Sequence, residues 1–175
     1  KQIAGLLLSA ILSDTLMFRS PTSTSMDETA ARALAVLAEE DIPTYAGQMF
    51  EAGGDLTGRT PEELFRSDFK VFEFGEHRFG VGQSFIMTEK LRSDAEALLR
   101  PYLPEAAMKA GIPLVFYMLT NTLEEDTNVI CWGEHAEEML ERAFGRAPED
   151  GRLSLPGVVS RKMQMIPPLR LALNS

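Results

Sequence analysis

The sequence is poor in the residues that most often announce chemistry. It holds one cysteine, Cys131, and two histidines, His77 and His135. A single cysteine excludes an intrachain disulfide and fits a reducing, cytoplasmic compartment. Cys131 lies in an apolar run before Trp132, a setting for a buried inert thiol rather than a nucleophile. The two histidines are too far apart for zinc-type ligand spacing. The opening apolar run, residues 3–12, falls short of the roughly 20 residues that a bilayer span needs. With Lys1 ahead of it, the run has the look of a signal-peptide core, but no small-x-small cleavage site follows. It reads as a buried helix, and so the chain reads as cut from something longer. Positive charge is also scarce. Lys and Arg number 17 against 26 Asp and Glu, a net charge of -9. That excludes a broad nucleic-acid surface, whose affinity comes from cations set against phosphates. A small anion can still be bound if the few cations are concentrated. Internal repeats, low-complexity tracts and heptads are absent, and the nine methionines are scattered core filler.

What is present is an ordinary globular composition, 45% apolar and 25% charged over 175 residues. A chain of this length buries roughly 70% of its unfolded surface and needs no staples. Hydrophobic periodicity predicts a helix over 2–18, with Leu6, Leu7, Ala10, Ile11 and Asp14 on one face, so that Asp14 ends an apolar stripe. A second helix follows over 27–40, capped by Asp27 or Ser25, and a third over 43–52. Gly53-Gly54-Asp55 opens a linker that runs to about Arg59. Beyond it the pattern changes. Thr60-Pro-Glu-Glu63 is a helix start with its own capping box. Residues 69–74 and 77–87 read as a hairpin. A helix over 89–100, limited by Pro101 and Pro104, continues toward Lys109. The apolar run 112–119 suits a central strand, 121–128 a polar turn and 129–132 another strand. A helix over 134–144 and a strand over 153–159 complete the pattern. The expected fold class is α/β: a mixed β-sheet of about five strands flanked by helices, preceded by a helical segment. The expected domains are 1–56 and 57–175.

The last strand leads into Gly157-Val-Val-Ser-Arg-Lys-Met-Gln-Met-Ile-Pro-Pro-Leu169. Arg161 offers a planar fork of donors and Lys162 a compact charge, a pair suited to gripping phosphate at a strand end. The Pro-Pro pair is expected to stop the ladder. A solvated basic pair before a turn is the plainer account of the same residues.

Four stretches together resemble the C-terminal portion of family II inorganic pyrophosphatases, of the DHH phosphoesterase superfamily. They are residues 4–22, which include Ser13-Asp-Thr15; Ser67-Asp-Phe-Lys-Val-Phe72; Val81-Gly-Gln83; and Gly157-Val-Val-Ser-Arg-Lys-Met-Gln-Met-Ile-Pro167. They occur in the family's order and span nearly the whole chain. The first and last are specific; the middle two are weak alone. The resemblance implies that residues 1–56 are the tail of a DHH catalytic domain and 57–175 the DHH-associated substrate-binding domain. It implies a metal-ligand role for Asp14, and phosphate-binding and catalytic roles for Lys70, Arg161 and Lys162. It implies Mn²⁺ or Co²⁺ (or Mg²⁺) as cofactor of the intact enzyme, with none held stably by this fragment. The implied partners are pyrophosphate and phosphate, with neither nucleic acid nor membrane. The parent is expected to be a homodimer and the fragment a monomer. Two departures stand out. Met163 occupies a position where the family usually has Lys, and the family's Asp-His-His signature occurs nowhere in the chain. The alternatives are an exopolyphosphatase or another DHH phosphoesterase, and a non-catalytic anion-binding or regulatory module.

Overall fold

Three helices begin on a threonine hydroxyl. Thr24, Thr60 and Thr88 each accept a hydrogen bond from the backbone N–H three residues on, those of Asp27, Glu63 and Leu91. For Thr24 and Thr60 the third residue is acidic and its carboxylate returns the bond, which closes a capping box. Those bonds, to the Thr24 and Thr60 side chains and backbone, hold the Asp27 and Glu63 carboxyls below their ordinary pKa values. The cap of the second helix is therefore Thr24, one residue before Ser25 and three before Asp27, the two expected from the sequence.

The computed structural model describes every residue except 55, 57, 87, 122, 123, 174 and 175. The chain divides into two compact units, Lys1–Asp55 and Leu56–Ser175. The middle of the expected linker and part of the expected 121–128 turn lie outside the described residues.

The first unit consists of α1 (Gln2–Thr15), α2 (Ser25–Ala38) and α3 (Ile42–Gly54). Its core is small: Leu8, Leu12, Ala31, Ala35 and Ala46. The expected face of α1 is corrected. Ala4, Leu8, Leu12 and Thr15 point inward, while Leu6 and Leu7 are 71% and 52% exposed. Both faces are apolar, so periodicity alone could not choose between them. Helix α1 also stops at Thr15, short of residue 18. Leu16, Met17 and Phe18 all take positive φ, and the Thr15 hydroxyl caps the bend by accepting from Phe18 N. At the other end of the unit, α3 runs on through Gly53 and Gly54, where the sequence had suggested its end.

The second unit is a five-stranded mixed sheet in the order β1-β2-β3-β4-β5. Its strands are β1 (Phe69–Phe74), β2 (His77–Ile86), β3 (Leu114–Asn121), β4 (Asp126–Trp132) and β5 (Arg152–Pro156). Only β2 and β3 are parallel; the other neighbours are antiparallel. A parallel pair needs a crossover. Here it is α5 (Glu89–Leu99), a 3₁₀ turn (Arg100–Tyr102) and α6 (Leu103–Ala110). Helix α5 ends at Leu99, ahead of Pro101 as expected, and Pro101 and Pro104 each sit in the first turn of the segment that follows, where a missing N–H costs nothing.

The crossover, with α4 (Pro61–Arg66), covers one face of the sheet in a core that includes Phe65, Leu99, Leu103 and Tyr117. Helices α7 (Ala136–Phe144) and α8 (Ile166–Ala172) cover the other, around Phe79, Phe116, Leu140 and Leu169. Strand β3 is buried along seven of its eight residues, as a central strand should be. Strand β4 starts three residues earlier than expected. Thr127 and Asn128 are buried within it, so the polar turn is shorter than its composition suggested.

Candidate functional site

Strand β5 ends at Pro156 and does not itself deliver Arg161. Residues 157–160 instead cross the end of the sheet where the parallel pair finishes. The expectation of a strand to residue 159 is corrected on this point, and the reason lies in the hydrogen bonds. Gly157 N donates to Glu125 O at 2.8 Å. The Thr127 hydroxyl donates to Val158 O. Gln83 Nε2 donates to Val159 O at 3.0 Å and to Thr120 Oγ1 at 2.9 Å. The crossing backbone is thus bound by β4, then by β2, instead of by a ladder partner. Gln164 braces it from the far side. Its Oε1 accepts from Val159 N and Ser160 N, at 3.0 and 2.9 Å, and its Nε2 donates to Gly157 O at 2.7 Å.

At the end of this crossing the chain winds into a π-helical turn, Arg161–Met165, capped by the Ser160 hydroxyl. The turn flows into α8, in which Pro167 and Pro168 occupy the first turn. The Pro-Pro pair therefore opens a helix and does not end a ladder. Proline at such positions is already shaped for the helix. A π turn is a local widening that is frequent at functional sites.

Arg161 is the centre of the arrangement, with its side chain only 9% exposed. Nη1 donates to Asp68 O at 2.8 Å and to Val81 O at 3.1 Å, and Nη2 donates to Asp68 Oδ1 at 2.7 Å. Arg161 is therefore anchored, not a solvated end. Lys70 is tied to the same spot by register. It pairs with Val81 across β1 and β2, and directly paired residues of an antiparallel ladder project to one face. Val81 belongs to the core under α7 and α8. Lys70 therefore leaves the sheet on the face that carries the π turn, and it is exposed. Lys162, next to Arg161, is also exposed. Strands β1 and β5 are opposite edges of the sheet. The crossing segment carries the chain from β5 to the Arg161 position, where the guanidinium meets Val81 O, the backbone that Lys70 pairs with.

Asp14 lies in the last turn of α1 and is exposed. No group of three or more His, Cys, Asp or Glu among the described residues is arranged to hold a metal ion. Cys131 is half-buried, and burial pushes its thiol up to about 11, far from a reactive thiolate at neutral pH. None of the described helices is long and apolar enough to cross a membrane.

The sequence reading missed Asp68, Gln83 and Gln164 as organisers. Each stands inside a stretch quoted for the resemblance: Asp68 two residues before Lys70, Gln83 two after Val81, Gln164 three after Arg161. The two stretches that were weak alone are the two that hold Arg161 and the segment leading to it.

Comparison with known proteins follows the same outline. The profile of the DHHA2 domain matches residues 47–172. The chain is 38% identical over 174 residues to a Clostridium acetobutylicum protein named as a probable manganese-dependent inorganic pyrophosphatase, covering 99% of this chain and 56% of that protein. It is 37% identical over 169 residues to a cobalt-dependent inorganic pyrophosphatase of Clostridium perfringens, covering 97% of this chain and 31% of the relative. A Methanococcus jannaschii crystal structure assigned to the family II inorganic pyrophosphatases superposes with a TM-score of 0.87 at 34% identity. It covers 98% of this chain and 56% of the other. The chain thus spans about half the length of most of the curated relatives it matches, and less of the cobalt-dependent one.

Proposed function

The chain belongs to the DHHA2 domain family, and on that premise we propose that it is the C-terminal portion of a metal-dependent inorganic pyrophosphatase, which hydrolyses pyrophosphate to two phosphates. Residues 57–175 are the substrate-binding part and residues 1–56 the tail of the catalytic domain. The observation that carries the reading is the Arg161–Lys162 turn, docked on Asp68 and Val81 beside Lys70.

Pyrophosphate is small and densely charged. Arg161 supplies planar donors, and Lys70 and Lys162 supply point charges. Cations fixed before the reaction stabilise charge on the leaving phosphate without reorganising. Asp14 is the carboxylate that the resemblance assigns to a metal; among the described residues no group of three or more ligands is arranged to hold an ion, and one carboxylate is too few to hold it alone. Manganese or cobalt, held by Asp14 with ligands beyond this chain, would lower the pKa of the attacking water. A reducing, cytoplasmic setting, with pyrophosphate and phosphate as the ligands, belongs to the same proposal.

The test is calorimetric titration of the 175-residue chain with pyrophosphate, beside a phosphate-release assay with Mn²⁺ or Co²⁺. Binding without hydrolysis is expected. Hydrolysis at rates near those of an intact enzyme would sink the assignment of the chain as one part of the active site. No binding would sink the anion site.

A further inference from the structure

An arginine guanidinium has two edges that can hold an anion bidentately. The end-on edge uses one hydrogen from each Nη. The side-on edge uses Nε–H and the second Nη2 hydrogen. In Arg161 the end-on edge is taken, since Nη1 donates to Asp68 O and Nη2 to Asp68 Oδ1. The remaining Nη1 hydrogen goes to Val81 O. Among the described residues Nε–H and the second Nη2 hydrogen have no acceptor. No fully buried side-chain nitrogen or oxygen in the described structure lacks a partner. Nε must therefore reach solvent, although the side chain as a whole is nine-tenths buried.

We propose that Asp68 is a positioning residue for anion binding: it holds the end-on edge of Arg161 through both its carboxylate and its carbonyl, and so presents the side-on edge as the single open fork for a phosphate group. The proposal rests on the reading of this end of the sheet as a pyrophosphate site, and goes beyond it in assigning a residue that touches no substrate.

Charge alone argues against placing a carboxylate here. Asp68 offsets one of three clustered cations and, as a point charge, weakens anion binding. The benefit is directional. A free arginine samples many rotamers, and ordering it costs free energy at the moment of binding. Asp68 has already fixed both the plane and the edge. Its carbonyl also accepts from Gln83 N at 3.0 Å, so the anchor is bound to β2 and does not float on the surface. Gln83 in turn binds Val159 O, two residues before Arg161. Anchor, arginine and crossing segment close one loop of hydrogen bonds.

The experiment compares the full chain with Asp68→Ala, Asp68→Asn, Arg161→Lys and the Asp68→Ala/Arg161→Lys double variant. Two quantities are read. One is the ¹⁵N side-chain spectrum of Arg161, which reports rotation of the guanidinium about its Nε–Cζ bond. The other is pyrophosphate affinity by calorimetry. In the wild type, rotation should be slow, and pyrophosphate should shift Nε–H more than any Nη1 signal. Asp68→Ala should speed rotation and weaken binding roughly tenfold, the worth of one charged hydrogen bond. Asp68→Asn keeps the oxygen acceptor and should recover most of that loss. In the Arg161→Lys background, Asp68→Ala should change affinity little, because there is no fork left to aim. Equal or tighter binding by Asp68→Ala overturns the proposal, because Asp68 then only competes with the anion. An undiminished loss in the Arg161→Lys background overturns it too, because the effect then does not pass through Arg161. If wild-type Arg161 rotates slowly but the chain ignores pyrophosphate, the pyrophosphate reading falls, and Asp68 with it as a residue positioned for that anion.

Discussion

Arg92 and Arg161 are the two buried arginines of the second unit, with side chains 8% and 9% exposed. Their partners differ. Arg92 faces carboxylates: Glu89 takes both Nε and Nη2, Asp126 takes Nη1 at 2.8 Å, and Glu124 lies 3.9 Å away. Its side-on fork is closed by Glu89, and Asp126 takes a further hydrogen. Burial alone would lower its pKa, and the hydrogen bonds that it donates to Asp126 and Glu89 outweigh that and raise it. Arg161 has one carboxylate and two carbonyls, and one fork left open. Burial therefore does not separate a structural arginine from a working one. Each makes three hydrogen bonds from its five N–H donors, and what separates them is which donors are left: Arg161 keeps the Nε–H that Arg92 gives to Glu89.

Breaking the structural member should have the largest effect. Arg92→Ala leaves Asp126, whose side chain is 18% exposed, without its cation. A loss of about 3 kcal/mol is expected in urea unfolding. Pyrophosphate affinity should not change, and a parallel loss of affinity would erase the distinction between the two arginines.

The next effect is on the alkaline side. Burial pushes the Tyr117 phenol up to about 12, against an ordinary value near 10. Its hydroxyl donates to Leu64 O at 2.9 Å and meets Ser84 at 2.8 Å. The folded state holds its proton more tightly, so stability is intact below pH 10 and falls as pH rises through 12. The loss should be about 2–3 kcal/mol, read as a denaturation midpoint against pH. Tyr117→Phe should flatten that slope.

Arg161→Lys comes third. It keeps the charge and loses both forks, so pyrophosphate binding should weaken roughly tenfold. Unfolding free energy should fall by only about 1 kcal/mol, since Asp68 is 40% exposed. Lys162→Met is the smallest structural perturbation. An exposed charge should cost less than about 0.5 kcal/mol of stability, and its effect should appear in anion affinity alone. A large stability loss in either of these variants would place Arg161 or Lys162 with Arg92 among the structural cations.

Much of the second unit was legible because its signals are local. The Thr60 capping box, the hairpin around Gly75 and the apolar run of β3 each depend on neighbours within a few residues. The misread parts depend on partners far along the chain or on context. Arg161 is 93 residues from Asp68, and the crossing segment is shaped by side chains of β2 and β4. A Pro-Pro pair can end a strand or begin a helix, and sequence alone does not say which; here Pro167 and Pro168 begin α8. Helix α1 carries apolar residues on two faces, so its inward side was ambiguous. For the proposed site, Lys70, Arg161 and Lys162 were singled out through resemblance. That Arg161 is anchored, and by which residues, was not legible.

The π turn carries one residue more than an α-helical turn would need between the same two ends. A helix advances about 100° per residue, so removing one residue between Ser160 and Ile166 would let an ordinary turn form. It would also swing Arg161 about 100° around the axis, away from Asp68 and Val81. Substitutions in this short stretch can be absorbed one side chain at a time, but a change of length cannot. Among descendants of this gene, residues 161–165 should drift in identity at Met163 and stay fixed in number.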